Sequence, residues 1–395
     1  MDYATHYDVG DRKRESGINE DSVAVSVFEQ GHREGFRGYD RGADAGGADP
    51  AATDAETAVD GSRGTRSDAD AAGTAGPDAD GDDPADRAAH DTRSAAVFAL
   101  ADGAGGHDAG DAASYIATTA VCEHLAGTAV RAARSDPGAF DVAVDDPLPA
   151  TPRPADLELA VAEAVVTAHR EVLRYAAAHD EQAHATVVAG ICVDGRCHYG
   201  WVGDSRAYLV NGARRAIVPL TTDHSVVQRL RDAEEIDDVE ALVHPRSNEI
   251  TRALGGSGRE DPETATVNVE TATVPLYRED VLLATSDGLV DAQTEAAKLY
   301  EWYHDAGRDE ETAEVVRDRA VTEGEIRDRV LSANSLDGAA DDLVALANDR
   351  GGKDNLSAIL LRDETLPETP DDPPPRASGV EPAVTDRQTV VGEGD

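Results

Sequence analysis

The sequence is best interpreted outward from one stretch, Ala96-Val97-Phe98-Ala99-Leu100-Ala101-Asp102-Gly103-Ala104-Gly105-Gly106-His107. It begins as a short apolar run without helical periodicity, which predicts a buried strand. It ends in a carboxylate and a glycine-rich turn, and a helix is predicted after it, from Ala109 to Arg134. A buried strand that delivers an Asp to its end at a glycine bend places a metal ligand well. Asp102 is therefore the first candidate site residue.

The composition is strongly acidic. The 395 residues carry a formal net charge of −43, and only three of them are lysines. Like charges repel at low ionic strength, whereas near 1 M salt the screening length shortens to about 3 Å. The composition is therefore halophile-like, and it argues against nucleic acid or an anionic membrane as a partner. No apolar run approaches 18 residues and no signal peptide is predicted, so we expect a cytoplasmic protein.

The order of predicted elements favours an α+β fold. Hairpin strands are segregated from helices, which is not the pattern of a parallel βαβ sheet. Residues 1–363 are predicted to form one domain, interrupted at about 30–93 by an insertion of Asp, Ala, Gly and Arg. This insertion and the acidic tail at 364–395 contain too little apolar surface to offset chain entropy, so both are predicted to be disordered.

The turn Asp194-Gly195 predicts a two-residue hairpin, which places Cys192 opposite Cys197. The pairing geometry would allow a cross-strand disulfide between these two cysteines. Two buried free thiols are favoured, because a reducing cytosol keeps cysteines unpaired.

Four aspartates share one sequence context. Asp21, Asp102, Asp287 and Asp354 each lie at a predicted strand edge beside Gly or Asn. Taken singly, each is typical of a turn. Taken together, they predict that carboxylates converge, and a carboxylate cluster without His or Cys selects hard cations such as Mg²⁺ or Mn²⁺.

Seven ordered motifs give the chain a family likeness. They resemble the metal-dependent Ser/Thr protein phosphatases of the PPM or PP2C type, in their bacterial form. The motifs are Asn19-Glu20-Asp21, ADGAGGH from Ala101, GDSRAYLV from Gly203, LTTDHS from Leu220, HPRSNEITRALG from His244, ATSDGL from Ala284 and GGKDN from Gly351.

The resemblance implies a four-layer α-β-β-α sandwich, in which helices flank two antiparallel sheets. It also implies a binuclear metal centre at one end, with two Mn²⁺ or Mg²⁺ ions. Asn355 would orient Asp354, and Asp204 with Asp287 would form a weaker third metal site. The implied metal-binding residues are Glu20 (through water), Asp21, Asp102, Gly103 (through its carbonyl), Asp204, Asp287 and Asp354.

The activity implied by the resemblance is hydrolysis of phosphoserine and phosphothreonine in proteins by a water activated at two metal ions. Asp21, Asp102, Asp287 and Asp354 would be the catalytic residues. Phosphorylated proteins would be the substrates, a cognate Ser/Thr kinase is a candidate signalling partner, and a monomer is expected. Two alternatives stay open: a catalytically silent binding or regulatory module, and a phosphatase for small phosphoesters.

The phosphate-binding residue is where the chain departs from the family pattern. The family places an Arg three residues before the Asn of the first motif, where this chain has Ser16. An insertion of Ser16 and Gly17 would let Arg14 take that role, because Gly permits a bulge and the Arg fork suits phosphate. Arg14 is favoured over Arg12, and His107 is predicted to be structural.

Overall fold

A computed structural model describes residues 1–13, 18–29, 32–38, 94–104, 109–133, 151–257 and 259–376. Its strands are β1 (Asp2–Asp8), β2 (Asp21–Glu29), β3 (His32–Gly38), β4 (Ser94–Ala104), β5 (Gln182–Ala185), β6 (Val187–Val193), β7 (Arg196–Val202), β8 (Arg206–Asn211), β9 (Ala216–Pro219), β10 (Leu254–Ser257), β11 (Glu270–Pro275), β12 (Asp280–Thr285) and β13 (Leu356–Arg362). Its helices are α1 (Gly110–Ala132), α2 (Pro154–His179), α3 (Val226–Asp232), α4 (Asp238–Leu242), α5 (Ala296–Asp305), α6 (Glu310–Arg319), α7 (Glu323–Ser332) and α8 (Leu336–Arg350), with a 3₁₀ turn at Asp287–Leu289.

The described strands form two antiparallel sheets. The smaller sheet has the order β1-β13-β12-β8-β9. The larger sheet has the order β10-β5-β4-β6-β7-β11, and β2 pairs with β4 on one side and with β3 on the other. The predicted α+β class, with two antiparallel sheets flanked by helices, is confirmed.

Strict alternation along the strands separates the hydrophobic cores. The alternation of Val23, Val25 and Val27 predicts that they share one face of a strand. In β2 this face packs into the core between the two sheets. The intervening Ala24 and Phe28 face the opposite side, in the core beneath the helices. The same period of two in β4 makes it a strand buried on both faces, which fixes its register.

Helices cover the outer face of each sheet. The helices α1 and α2 bury their apolar residues against the larger sheet. The helices α7 and α8 pack on the smaller sheet through Ile326, Val330 and Leu343. Layers of helix, sheet, sheet and helix therefore surround three apolar interfaces.

The spacing of Ile116, Ala120 and Leu125 predicts that these three residues line one face of α1. Leu125 is fully buried, whereas Ile116 and Ala120 are only partly buried where they pack against the core. Alanine dominates this helix on all sides, so the sequence pattern does not identify the buried face. The fully buried stripe consists of Ala113, Ala117, Val121, Leu125 and Ala129. Among the described helices, none combines the length and apolar character required to cross a membrane.

Two segments predicted to be disordered have defined structure. Residues 32–38 of the predicted insertion form β3, because the outer edge of β2 is available and its backbone groups pair regardless of side chain. The rest of that insertion lies outside the described residues.

The tail also contains an ordered portion at residues 364–376. The Arg278 amide donates to the Pro367 carbonyl (2.9 Å), and Asn211 Nδ2 donates to Thr369 Oγ1 (2.8 Å). Arg376 pairs with the buried Asp280 at 2.7 Å. These polar contacts, rather than apolar burial, hold the segment; residues 377–395 lie outside the described part of the chain.

The predicted hairpin at Asp194-Gly195 is confirmed. Both residues have positive φ (50° and 67°), and Cys192 lies directly opposite Cys197 across β6 and β7. Both cysteines are buried free thiols, as favoured from the sequence.

Candidate metal centre

Asp21 and Asp102 are brought together by the pairing of β2 with β4. Asp21 begins β2, Asp102 lies near the end of β4, and the antiparallel register places them directly opposite each other. The loop before β2 is fixed as well, because the Gly103 amide donates to the Glu20 carbonyl at 3.0 Å. Gly103 permits a close approach here, since a Cβ at this position would lie 2.3 Å from the Gly110 carbonyl oxygen.

Asp287 and Asp354 come from the smaller sheet. Asp287 opens the 3₁₀ turn after β12, and Asp354 lies two residues before β13, which pairs with β12. Gly288 allows the two turns to meet, because a Cβ there would lie 1.9 Å from the Asn355 carbonyl oxygen.

Ser286 links the two sheets at the candidate site. Its Oγ donates to Asp21 Oδ2 (2.7 Å) and accepts from the Ser357 amide (3.0 Å). The carboxylate from the larger sheet is thereby positioned by two residues of the smaller sheet. The sequence interpretation missed Ser286, although it directly precedes Asp287 in the ATSDGL motif.

Asn355 ties the N-terminal loop to the C-terminal one. Its Oδ1 accepts from the Glu20 amide (3.0 Å), and its Nδ2 donates to the carbonyls of Val9 (3.0 Å) and Ile18 (3.2 Å). Its own amide donates to Asp354 Oδ1 at 2.7 Å. Asn355 therefore contacts Asp354 through its backbone amide, and its side chain holds the loop that carries Glu20.

Thr186 is a second residue that the sequence interpretation did not place at the site. Its Oγ1 accepts from the Asp102 amide (3.0 Å), and its own amide donates to the Asp102 carbonyl (2.8 Å). Its hydroxyl also lies 2.6 Å from Ser205 Oγ. Because Ser205 follows Asp204, Thr186 connects the backbone of Asp102 to the segment that carries Asp204.

The carboxyls of this cluster resist ionisation. Burial raises the pKa of Asp21 to about 6, and repulsion from Asp354 adds to the shift. Burial raises the pKa of Asp204 to about 7, and repulsion from Asp223 adds to it. Asp102 and Asp287 are partly accessible from the cleft. Burial, followed by the charges of neighbouring carboxylates, nevertheless raises the pKa of both well above its ordinary value.

The donor set fits hard divalent cations. Asp21 Oδ1 and Asp287 Oδ1 are buried and have no hydrogen-bond partner among the described residues, so each has a lone pair for a ligand. The available donors are carboxylates and carbonyls, which suit Mn²⁺ and Mg²⁺. Among the described residues, no group of three or more His, Cys, Asp or Glu side chains is already closed into a ligand set.

Lys13 is the described cation that reaches these carboxylates. Its Nζ forms an ion pair with Asp354 and lies 3.7 Å from Glu20 Oε2. Burial acts to lower the pKa of Lys13, but the hydrogen bond and charge of Asp354 outweigh it and raise the pKa. Arg14 and His107 lie outside the described residues, so their assignments stay predictions. The side chain of Arg12 is exposed.

The acidic cluster lies in a cleft of about 820 Å³. Its floor includes Asp102, Asp204, Asp287 and Asp354, and one wall is formed by residues 248–253. We call residues 221–253 the flap. Within it, Arg252 Nη1 donates to Glu270 Oε1 at 3.0 Å. The sequence context of Arg252 favours such a structural pairing with an acidic residue over direct contact with substrate.

Comparisons of the sequence with known proteins identify its family. The family model for protein phosphatase 2C matches residues 79–317. The serine/threonine phosphatase stp of Listeria welshimeri is 28% identical over 267 residues, which cover 67% of this chain and 83% of the relative.

Solved structures share the architecture. The serine/threonine phosphatase PstP/Ppp of Mycobacterium tuberculosis has a TM-score of 0.53 at 21% identity, covering 93% of this chain and 99% of that one. The catalytic domain of PstP in complex with two manganese ions has a TM-score of 0.50 at 20% identity, covering 91% and 96%. At these identities the likeness concerns the fold.

Proposed function

Because the chain belongs to the protein phosphatase 2C family and is therefore a protein-serine/threonine phosphatase, we propose that it dephosphorylates phosphoserine and phosphothreonine at the acidic cleft. The observation that carries this proposal is the meeting of Asp21 and Asp102 from one sheet with Asp287 and Asp354 from the other. None of the four carboxylates is replaced, which argues against a catalytically silent module.

Two Mn²⁺ or Mg²⁺ ions would be held by Asp21, Asp102, Asp287 and Asp354, with the Gly103 carbonyl as a further donor and Glu20 acting through water. Asp204 would contribute with Asp287 to a third, weaker site. The buried, unpartnered oxygens of Asp21 and Asp287 support this assignment. When bound, such ions activate water and stabilise the charge that develops on a transferring phosphoryl group.

The protein's own contribution is to hold the carboxylates ready. Ser286 fixes one oxygen of Asp21, and Thr186 fixes the backbone of Asp102. Asn355 holds the turn of Asp354 against the loop of Glu20. Such preorganisation favours the transition state, because the metal-binding carboxylates need no rearrangement during the reaction.

Besides the proposed metal ions, a side-chain cation near the carboxylates would strengthen phosphate binding. Lys13 supports this role, because its ammonium group lies within the cleft beside Asp354 and Glu20. An ammonium binds phosphate as a point charge on a flexible stem. Arg14 remains the sequence-based candidate for the same role, and variants of both residues separate the two.

The net charge and the free thiols support a proposal about the salt concentration and redox environment in which the enzyme works. The net charge of −43 favours work in concentrated salt, where surface repulsion is screened. Buried free thiols at Cys192 and Cys197 suit a reducing cytoplasm. The proposed substrates are phosphoproteins, with a cognate Ser/Thr kinase as the opposing enzyme, and the proposed active unit is a monomer.

Phosphate release from a phosphothreonine peptide, assayed in concentrated KCl, tests the proposal. We expect turnover with Mn²⁺ or Mg²⁺ and none with chelator. Equal turnover in the presence of chelator would overturn the metal-dependent mechanism. A panel that includes small phosphoesters would show whether peptides are preferred.

A further inference from the structure

Lysine is rare in this chain, and its positions are informative. The three lysines are Lys13, Lys298 and Lys353, against 33 arginines among the 36 basic residues. Lys298 lies on the surface, with 79% of its side chain exposed. Lys353 directly precedes the proposed metal ligand Asp354 and is only 18% exposed.

The ammonium group of Lys353 joins three separate segments. Its Nζ donates to Asp291 Oδ2 (2.5 Å), in the turn that follows Asp287, and to Asn248 Oδ1 (2.8 Å), in the flap. Ser247 Oγ, also in the flap, donates to the same Asp291 oxygen at 2.9 Å. The backbone amide of Lys353 further donates to the Ala292 carbonyl at 3.2 Å.

The flap is also anchored away from Lys353. Near its C-terminal end, Arg252 Nη1 donates to Glu270 Oε1 at 3.0 Å. On its far side, the buried Glu240 of α4 pairs with the partly exposed Arg308 at 2.7 Å. Between these anchors, Ser247 and Asn248 meet the turns that carry Asp287 and Asp354.

This contact forms part of the cleft wall. Asn248 lines the cleft that contains the carboxylates. Ser247 and Asp291 line an adjoining cavity of about 530 Å³, which also reaches Asp204 and Asp287. The Lys353 hydrogen bonds therefore lie at the boundary between the two spaces.

We infer that Lys353 is a positioning residue that fixes the flap wall of the cleft relative to the metal-binding turns, and so sets the affinity for phosphopeptides. This inference rests on the proposed function. A peptide extends beyond its phosphate and contacts the flap wall, whereas a small aryl phosphate reaches only the floor. Loss of the Lys353 contacts therefore affects peptide binding more than the chemical step.

The test compares Lys353→Met with the parent chain, using a phosphothreonine peptide and p-nitrophenyl phosphate with Mn²⁺. We expect KM for the peptide to rise about tenfold, the scale of one hydrogen bond to a charged group. The kcat for the peptide and both constants for p-nitrophenyl phosphate should stay within about twofold. Lys298→Met is the matched control and should change none of these constants.

A second variant covers the case in which Lys353→Met folds poorly because Asp291 loses its partner. Asn248→Ala removes the flap end of the contact without leaving a charge unpaired. It should raise KM for the peptide in the same direction, and the double variant should be no worse than the more affected single variant, because both remove one interaction.

Three outcomes would overturn the inference: unchanged peptide KM in both single variants, equal losses on the two substrates, or fully additive effects. A parent chain that releases phosphate from neither substrate would instead contradict the proposed function itself. The two failures are therefore distinguishable.

Discussion

Buried carboxylates occur in two different settings in this molecule. Away from the cleft, two of them have a guanidinium partner: Asp280 pairs with Arg376 at 2.7 Å, and Glu240 pairs with Arg308 at 2.7 Å. In the cleft, Asp21 and Asp204 are equally buried. Across the described residues, neither forms an ion pair with Lys or Arg, and the pKa of each is raised.

The difference supports the proposed assignment of the cleft acids as metal ligands and of Asp280 and Glu240 as structural acids. A buried charge is costly unless it is paired, so Arg376 and Arg308 stabilise these two acids in the fold. Where the protein supplies no such cation and leaves oxygens such as Asp21 Oδ1 without partners, the carboxyl is neutralised either by a proton, which its raised pKa favours, or by a bound cation, which is the role we propose. The contrast can be tested by substitutions in the cleft acids and by substitutions in the ion pairs of the structural acids.

The largest expected effect comes from Asp102→Asn. This variant should lower turnover about a thousandfold or more, because several kcal/mol of metal-derived transition-state stabilisation are lost. Phosphate release and Mn²⁺ titration calorimetry measure activity and binding, and the circular dichroism spectrum should match that of the parent. Glu314→Gln, an exposed substitution on α6, is the control. Turnover within tenfold of the parent would refute the ligand role.

The structural acids predict the opposite response. Arg376→Ala should lower the free energy of unfolding by about 2–4 kcal/mol, because Asp280 would remain buried without its ion-pair partner. Turnover by the remaining folded enzyme should be unchanged. Urea denaturation measures the loss, and Arg376→Ala combined with Asp280→Asn should recover part of it. An unchanged midpoint would mean that residues 364–376 do not belong to the folded unit.

A smaller effect concerns the pH dependence of the metal-free protein. The pKa of Asp204 is raised to about 7 when folded, whereas an unfolded Asp titrates near 3.9. The stability associated with its protonated form is therefore complete below about pH 4 and is lost as the pH rises through 7. Asp204→Asn should raise the Tm of the metal-free protein by about 2–4 °C at pH near 7.5.

The same substitution should leave Tm nearly unchanged at pH near 4, because the parent carboxyl is then protonated in both states. Differential scanning calorimetry in the presence of chelator makes the comparison. A gain of the same size at both pH values would show that packing, not ionisation, accounts for the change.

The sequence was most informative where residue spacing determines structure. Alternation placed Val23, Val25 and Val27 on one face of a strand, which the structure buries between the two sheets. The strand-end context selected Asp21 and Asp102 as candidate ligands. The buried face of α1 could not be predicted, because an alanine-rich helix has no strong apolar stripe.

Residues that depend on tertiary contacts were beyond the sequence. Ser286 meets Asp21 across 265 positions, and Arg376 meets Asp280 across 96 positions. No local pattern encodes such pairs, so composition alone assigned residues 364–376 to a disordered tail. The rarity of lysine is a sequence signal that could have identified Lys13 and Lys353 near the candidate site, because it distinguishes them from the many arginines.

The smallest predicted effect concerns Lys13. It tests whether the one described cation beside the cleft carboxylates also binds the substrate phosphate. Lys13 already contacts Asp354 and Glu20, so its charge lies where phosphate oxygens would enter. Lys13→Met should raise KM for both a phosphopeptide and p-nitrophenyl phosphate about tenfold, because the phosphate is common to them. Steady-state kinetics with Mn²⁺ provide the measurement, and Arg12→Met, which removes an exposed charge, is the control. If Arg14→Met raises KM more than Lys13→Met does, the phosphate contact belongs to Arg14, and Lys13 serves only to balance the carboxylates.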